Sequence, residues 1–340
     1  MTDTTLYIVI GVLALPILLL TCIAFFTCFY NRYCTPHWTA FYRNAHIVIT
    51  GGSDGLGASL ALQCTALGAT VTIISRNYDK LDRIVSQSIL SSSSGRMFSI
   101  VADVTDRSGI AQALEQAENE HGPIDLLFPC AGASIPGKLC DRSLSDFQKE
   151  MELNYFGTLY TIYPLLAKMK NRQEGRICFI TSALALTSYV GYDTYSPTKH
   201  AVKGLAETLR NEYLPYNVHV HIAFPANMDT TGYELEMMTK PSETVAIESS
   251  DILYDPSVVA TSILRGVGRG EYNLYCGALD VNLLGILTAG CTPRSNMAFD
   301  MLMSPLAIII ARIVRWTWDH EVLKGKYHDT KTTTRTTSML

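Results

Sequence analysis

The chain has 340 residues, 48% of them hydrophobic and only 17% charged, which is too apolar for a disordered protein. A net charge of −4 without a long basic run argues against nucleic acid as a partner. Nine scattered cysteines with no Cys-x-x-Cys pair read as reduced thiols, so neither a disulfide framework nor a metal site is expected. Residues 6–30 carry no charge. As a helix of ~1.5 Å rise per residue that run spans roughly 37 Å, against a hydrocarbon core of ~30 Å. Arg32 and Arg43 follow it, which favours a cytosolic location for everything downstream. Residues 1–31 are therefore expected to form an N-terminal transmembrane helix. A cleaved signal peptide is the alternative.

Beyond the anchor, β-rich runs alternate with helical ones. Strands are predicted over residues 45–50, 70–75, 97–102, 125–129, 176–181 and 218–223. Helices are predicted over 57–67, 80–90, 108–120, a long stretch of about 145–170, and 195–213. Strands separated by helices of this length imply right-handed crossovers. The fold class is α/β: a Rossmann-type doubly wound parallel sheet over residues 45–275. The last third departs from this pattern. Residues 276–320 form an apolar region, and residues 321–340 read as a disordered, Thr-rich tail. Arg312, Arg315, Trp316 and Trp318 mark residues 301–318 as an interfacial segment or membrane hairpin, with a core or dimer-contact helix equally open.

The first predicted strand runs into Thr50-Gly51-Gly52-Ser53-Asp54-Gly55-Leu56-Gly57 and then a helix. Glycines at 51, 55 and 57 allow a tight turn and let a pyrophosphate approach free amides at the helix N-terminus. Arg76 ends the second strand, where a basic residue can neutralise a 2′-phosphate. With Lys80 and Ser53 nearby, it points to NADPH. Further on, Tyr195 and Lys199 stand four apart, on one helical face. A phenol of pKa near ~10 is a poor proton donor or acceptor at neutral pH, and a neighbouring ammonium favours its ionised form. Ser182 lies just past the fifth strand, and Asn154 lies on the long helix before it.

The Gly-x-x-x-Gly-x-Gly turn, followed in order by Asn154, Ser182, Tyr195 and Lys199, resembles the short-chain dehydrogenase/reductase family over roughly residues 45–270. The resemblance implies that Asp103 and Val104 contact the adenine and that Ala131 and Gly132 let the cofactor lie close. Cys130 stands where the family usually has Asn. It further implies that Tyr195 transfers the proton, Ser182 hydrogen-bonds the substrate oxygen, Lys199 tunes Tyr195 and holds the nicotinamide ribose, and Asn154 positions a water. Gly51, Ser53, Asp54, Gly55, Leu56 and Gly57 would cradle the phosphates. A narrower resemblance lies in Arg-Asn-Tyr-Asp-Lys-Leu at 76–81 and Thr-Lys-Pro-Ser-Glu-Thr at 239–244. It is to members that reduce a long-chain keto-amine lipid at the endoplasmic reticulum membrane, with the catalytic domain facing the cytosol. Family members often pair through the helices bearing the Asn and Tyr, which leaves a homo-oligomer open. Two other readings stand beside this one. The first is a membrane-bound reductase of steroids, retinoids or 3-ketoacyl chains, and the second a catalytically idle NADPH-binding scaffold.

Overall fold

The structure, a computed structural model, describes residues 18–23, 25, 26, 29, 38–90, 94–288 and 292–337, with side chains as far as residue 324. Seven parallel strands form one sheet in the order β3-β2-β1-β4-β5-β6-β7. They are β1 (His46–Thr50), β2 (Thr70–Ser75), β3 (Arg96–Val101), β4 (Leu126–Pro129), β5 (Gly175–Ile180), β6 (Val218–Ala223) and β7 (Asn273–Leu274). Six match the predicted strands to within a residue or so. The two-residue β7 carries too little pattern to be read from sequence. Helices cover both faces: α1 (Gly55–Ala66), α2 (Tyr78–Leu90), α3 (Arg107–His121), α4 (Leu144–Met151), α5 (Gly157–Arg172) and α6 (Tyr195–Tyr213). After β6 come α7 (Thr231–Met237), α8 (Ser242–Glu248), α9 (Pro256–Gly268), α10 (Leu279–Thr288) and α11 (Met297–Thr337).

The double layer follows from strand geometry. Successive side chains of a strand point to opposite faces, so a strand covered on both sides must be apolar throughout. In β1 the pattern His-Ile-Val-Ile-Thr is buried at every position. Ile47 and Ile49 join the core beneath α1, α2 and α9, while Val48 joins the core beneath α3, α5 and α6. The helices supply matching stripes. In α3 the buried residues Ile110, Ala113, Leu114 and Ala117 recur at the helical period, and Asp106 caps the N-terminus by accepting from the Ser108 amide. Cys64, Cys178 and Cys276 fill core positions as free thiols.

One expectation needs correction. The helix predicted over 145–170 is interrupted, because a π-helical turn at Glu152–Phe156 separates α4 from α5 and turns Asn154 inward to complete burial. Of the N-terminal span predicted over 1–31, residues 18–23 are helical, with Leu18 and Leu19 exposed; most of the rest lies outside the described residues. Among the described residues one helical stretch, Met297–Lys324 of α11, is long and apolar enough to cross a membrane. Only 6% of its most apolar window is buried, and Ile309, Ile313 and Trp316 face outward.

The chain enters the domain at Tyr42, which is fully buried and donates its hydroxyl to the Leu264 carbonyl of α9 at 2.6 Å. Burial raises that phenol, so it stays a neutral donor. Tyr42→Phe removes this buried hydrogen bond between the entering chain and α9. The expected loss is about 1–2 kcal/mol of unfolding free energy, measured by denaturant titration.

Candidate active site

The order of the strands reverses beside β1, and there the C-terminal ends of β1 and β4 part to open a cleft of about 740 Å³. Its floor is the glycine turn. Gly51 has φ +68°, and a Cβ on it would lie 2.8 Å from the Ala131 nitrogen; on Gly57 it would lie 2.2 Å from the Gly51 carbonyl. The two crossing backbones leave no room for side chains, so a ligand can rest directly on peptide groups. Asp54 caps α1 by accepting from the Gly55 amide at 2.8 Å, and Ser53 donates to the Ser75 hydroxyl at 2.8 Å.

Arg76 stands at the rim, largely exposed and 3.7 Å from Asp103. Lys80 is held by Asp54 at 2.7 Å, so of the two predicted cations Arg76 is the freer to meet an incoming phosphate. Asp103 accepts from both the amide and the hydroxyl of Thr105. Val104 lies behind it, so close to Gly157 that a Cβ there would be 2.8 Å from the valine methyl. Leu56, Gly55, Ala131 and Gly132 complete this half of the cleft.

At the far end Ser182, Tyr195 and Lys199 share one wall. α6 begins at Tyr195, so Pro197 falls in the first turn, where its missing N–H is harmless. One turn on, the Lys199 ammonium is buried, lies 5.5 Å from the Tyr195 ring centre and donates to the Ile180 carbonyl at 3.2 Å. Burial lowers its pKa to about 8, while the negative charge of Glu150 pulls the other way. Burial pushes the Tyr195 phenol up, Glu236 adds to this, and a hydrogen bond with Ser182 opposes it. Burial thus holds the phenol above its ordinary range, and Tyr195 keeps its proton at neutral pH. The Ser182 hydroxyl accepts from the Leu184 amide at 3.1 Å, which leaves its own proton free to be donated. Cys130 has its thiol raised by burial and is neutral.

Asn154 lies behind the cleft. Its amide oxygen accepts from the Ala133 amide at 2.9 Å, and its nitrogen donates to the Ala133 carbonyl and to Thr198. With three of its bonds so used, the side chain braces the loop after β4 against α6.

On the substrate side of the cleft, sequence reading singles out the block at 239–244 but not Tyr192, Tyr233 or Glu236, which help to line it. Behind them Lys240, with a fully buried side chain, sits 2.6 Å from Glu248 and 3.9 Å from Glu236. Tyr189 and Tyr192 both donate to Glu248. Thr244 is buried and donates to the Val190 carbonyl, and Glu243 pairs with Lys138 at 2.8 Å. The block at 239–244 is therefore a lock that fastens α8 to the loop preceding Tyr195.

A phosphate-cradling glycine turn facing a Ser, Tyr and Lys across one cleft, on a parallel doubly wound sheet, is the layout of a dinucleotide-dependent oxidoreductase. The chain belongs to the short chain dehydrogenase family, which matches residues 45–240. It is 38% identical to 3-ketodihydrosphingosine reductase of Bos taurus, across 74% of this chain and 77% of the relative. Against 3-ketodihydrosphingosine reductase of Dictyostelium discoideum the identity is 36%, across 83% and 89%. The solved structure of a short chain dehydrogenase/reductase from Burkholderia phymatum in complex with NAD shares the fold, with a TM-score of 0.64 at 20% identity, covering 72% of this chain and 93% of that one.

Gly57→Ala tests the floor of the cleft. Its methyl would press on the Gly51 carbonyl, so dinucleotide affinity by calorimetry should fall at least about tenfold (roughly 1.4 kcal/mol) without loss of helical circular dichroism.

Proposed function

We propose that this protein reduces 3-ketodihydrosphingosine to dihydrosphingosine with NADPH, as a step of sphingolipid synthesis. The observation that carries the reading is the convergence of Ser182, Tyr195 and Lys199 at the end of a cleft floored by the glycine turn. The names of the relatives support the substrate. Arg76 supports the 2′-phosphorylated cofactor, since a guanidinium at this rim suits a phosphate and an acidic residue would suit a free ribose.

The residues of the cleft suit NADPH: Gly51 and Gly57 would leave room for its pyrophosphate, Arg76 and Ser53 would hold the 2′-phosphate, Asp103 and Val104 would contact the adenine, and Lys199 would hold the nicotinamide ribose. When bound, NADPH supplies hydride to the carbonyl carbon. The Tyr195 hydroxyl, which keeps its proton at neutral pH, donates it to the carbonyl oxygen as the general acid. Ser182 donates to the same oxygen and stabilises the charge that gathers there. Lys199 offsets that charge through its ammonium, and Asn154 holds the Ala133 loop against α6.

A membrane setting agrees with this substrate. Each buried methylene holds a lipid in the bilayer by ~0.8 kcal/mol, so an enzyme beside the membrane meets its substrate without extracting it. The exposed apolar face of α11 supports contact with the bilayer. The uncharged run at 6–30 supports an anchor in the endoplasmic reticulum membrane with the domain in the cytosol. A homo-oligomer through α5 and α6 belongs to the same proposal.

Three measurements test it. Membranes carrying the protein should form dihydrosphingosine only with NADPH present, and Tyr195→Phe should abolish this; full turnover by that variant would overturn the assignment. Arg76→Ala should raise KM for NADPH by about tenfold to a hundredfold over its effect on NADH, the worth of one charge-assisted contact of about 1.5–3 kcal/mol. Lys199 is a cation below its lowered pKa of about 8 and neutral above it. The kcat/KM profile should therefore fall as pH rises through about 8; an alkaline limb beginning only above the ordinary phenol range of ~10 would contradict this role.

A further inference from the structure

The substrate side of the cleft holds one carboxylate that proton transfer does not use. Glu236 lines the cleft beside Tyr192 and Tyr195 with a side chain only 21% exposed, and its charge is felt at the Tyr195 phenol. The charges around it do not balance. Lys240 sits 2.6 Å from Glu248, a buried ion pair completed by the hydroxyls of Tyr189 and Tyr192. Glu236 stands 3.9 Å from that same lysine, so one ammonium faces two carboxylates. The closer pair takes most of its charge, and a negative charge is left on the cleft wall. Glu150, behind the wall, adds to the excess: one of its oxygens accepts from the Ile135 amide and Thr194, and the other is buried without a partner. Burial accordingly raises the Glu236 carboxyl to about 7, with Lys240 opposing the shift and Glu248 and Glu150 reinforcing it. A half-buried carboxylate short of a counter-ion is stabilised by any cation a ligand brings.

The proposed substrate brings one. Its amino group and its ketone sit on adjacent carbons, so an ammonium necessarily accompanies the carbonyl that Tyr195 protonates. We propose that Glu236 is the specificity-determining residue of this site, pairing with the ammonium of an α-amino ketone while Tyr195 and Ser182 meet its carbonyl oxygen. This rests on the reductase reading above and adds the group by which the polar end of the lipid is recognised. The pairing also sets a positive charge beside the carbonyl, where negative charge develops during reduction.

The test compares two ketones of equal chain length, 3-ketodihydrosphingosine and the same 3-ketone lacking the amino group, each with NADPH and the full-length protein in detergent micelles. The wild-type protein should prefer the amino ketone in kcat/KM. Glu236→Gln should lower that preference by about tenfold to a hundredfold, chiefly through KM for the amino ketone. Glu236→Asp keeps the charge at shorter reach and should hold more of the preference than Glu236→Gln. NADPH binding to each variant reports that the domain is folded. An unchanged preference in Glu236→Gln, or an equal loss on both ketones with NADPH binding intact, overturns the role of Glu236 and leaves the reductase reading standing. A wild-type protein that reduces neither ketone overturns both.

Discussion

The site is organised around a buried ammonium. Lys199 sits almost wholly out of water, and desolvation penalises its charge. It can be kept there only because surrounding groups are arranged to receive it. Ile180 ends β5 with a carbonyl aimed at the nitrogen. Gly132 leaves it space, since a Cβ there would lie 3.5 Å from the ammonium and 2.9 Å from the Asn154 amide oxygen. Asn154 in turn ties the β4 loop to α6 by bonding to Ala133 and Thr198. Strand ends, loop and helix thus meet at one cation, and the place where they meet is the reacting end of the cleft.

Much of this was legible in the residues. Alternating apolar runs and helical stripes gave the parallel sheet because a strand covered on both faces has to be apolar throughout, as β1 is. The glycine turn was legible because the backbone crossing at Gly51 and Gly57 tolerates nothing larger. Tyr195 and Lys199 were legible because four residues make one turn. What stayed hidden depends on long-range packing. The π turn at Asn154 looks like ordinary helix in sequence, β7 is two residues long, and the Lys240–Glu248 pair joins side chains whose burial no local pattern announces. The direction of the Tyr195 shift was hidden for the same reason: proximity of a lysine can be counted from the chain, whereas desolvation cannot.

The segment 239–244 shows how a discriminating motif can act at one remove. Glu243 holds Lys138, Thr244 holds Val190, and Lys240 is buried against Glu248. Gly191 has φ +96°, and a Cβ on it would lie 2.2 Å from the Thr244 hydroxyl, so the loop leading into α6 has its shape imposed by α8. None of these residues needs to touch a reacting atom. Together they set where Tyr192 and Glu236 stand relative to Tyr195.

The same lock extends outward. Trp318 of α11 packs on Tyr189 with ring centres 4.8 Å apart, Tyr189 donates to Glu248, and Glu248 also receives Tyr192, whose ring neighbours Tyr195. The outward-facing apolar helix and the reacting hydroxyl are thereby two ends of a single relay of rings and buried hydrogen bonds. Sliding α11 by one turn, ~5.4 Å, would strip Tyr189 of its aromatic cover. The greasy exterior and the polar interior accordingly keep a fixed offset, as a ruler keeps its marks.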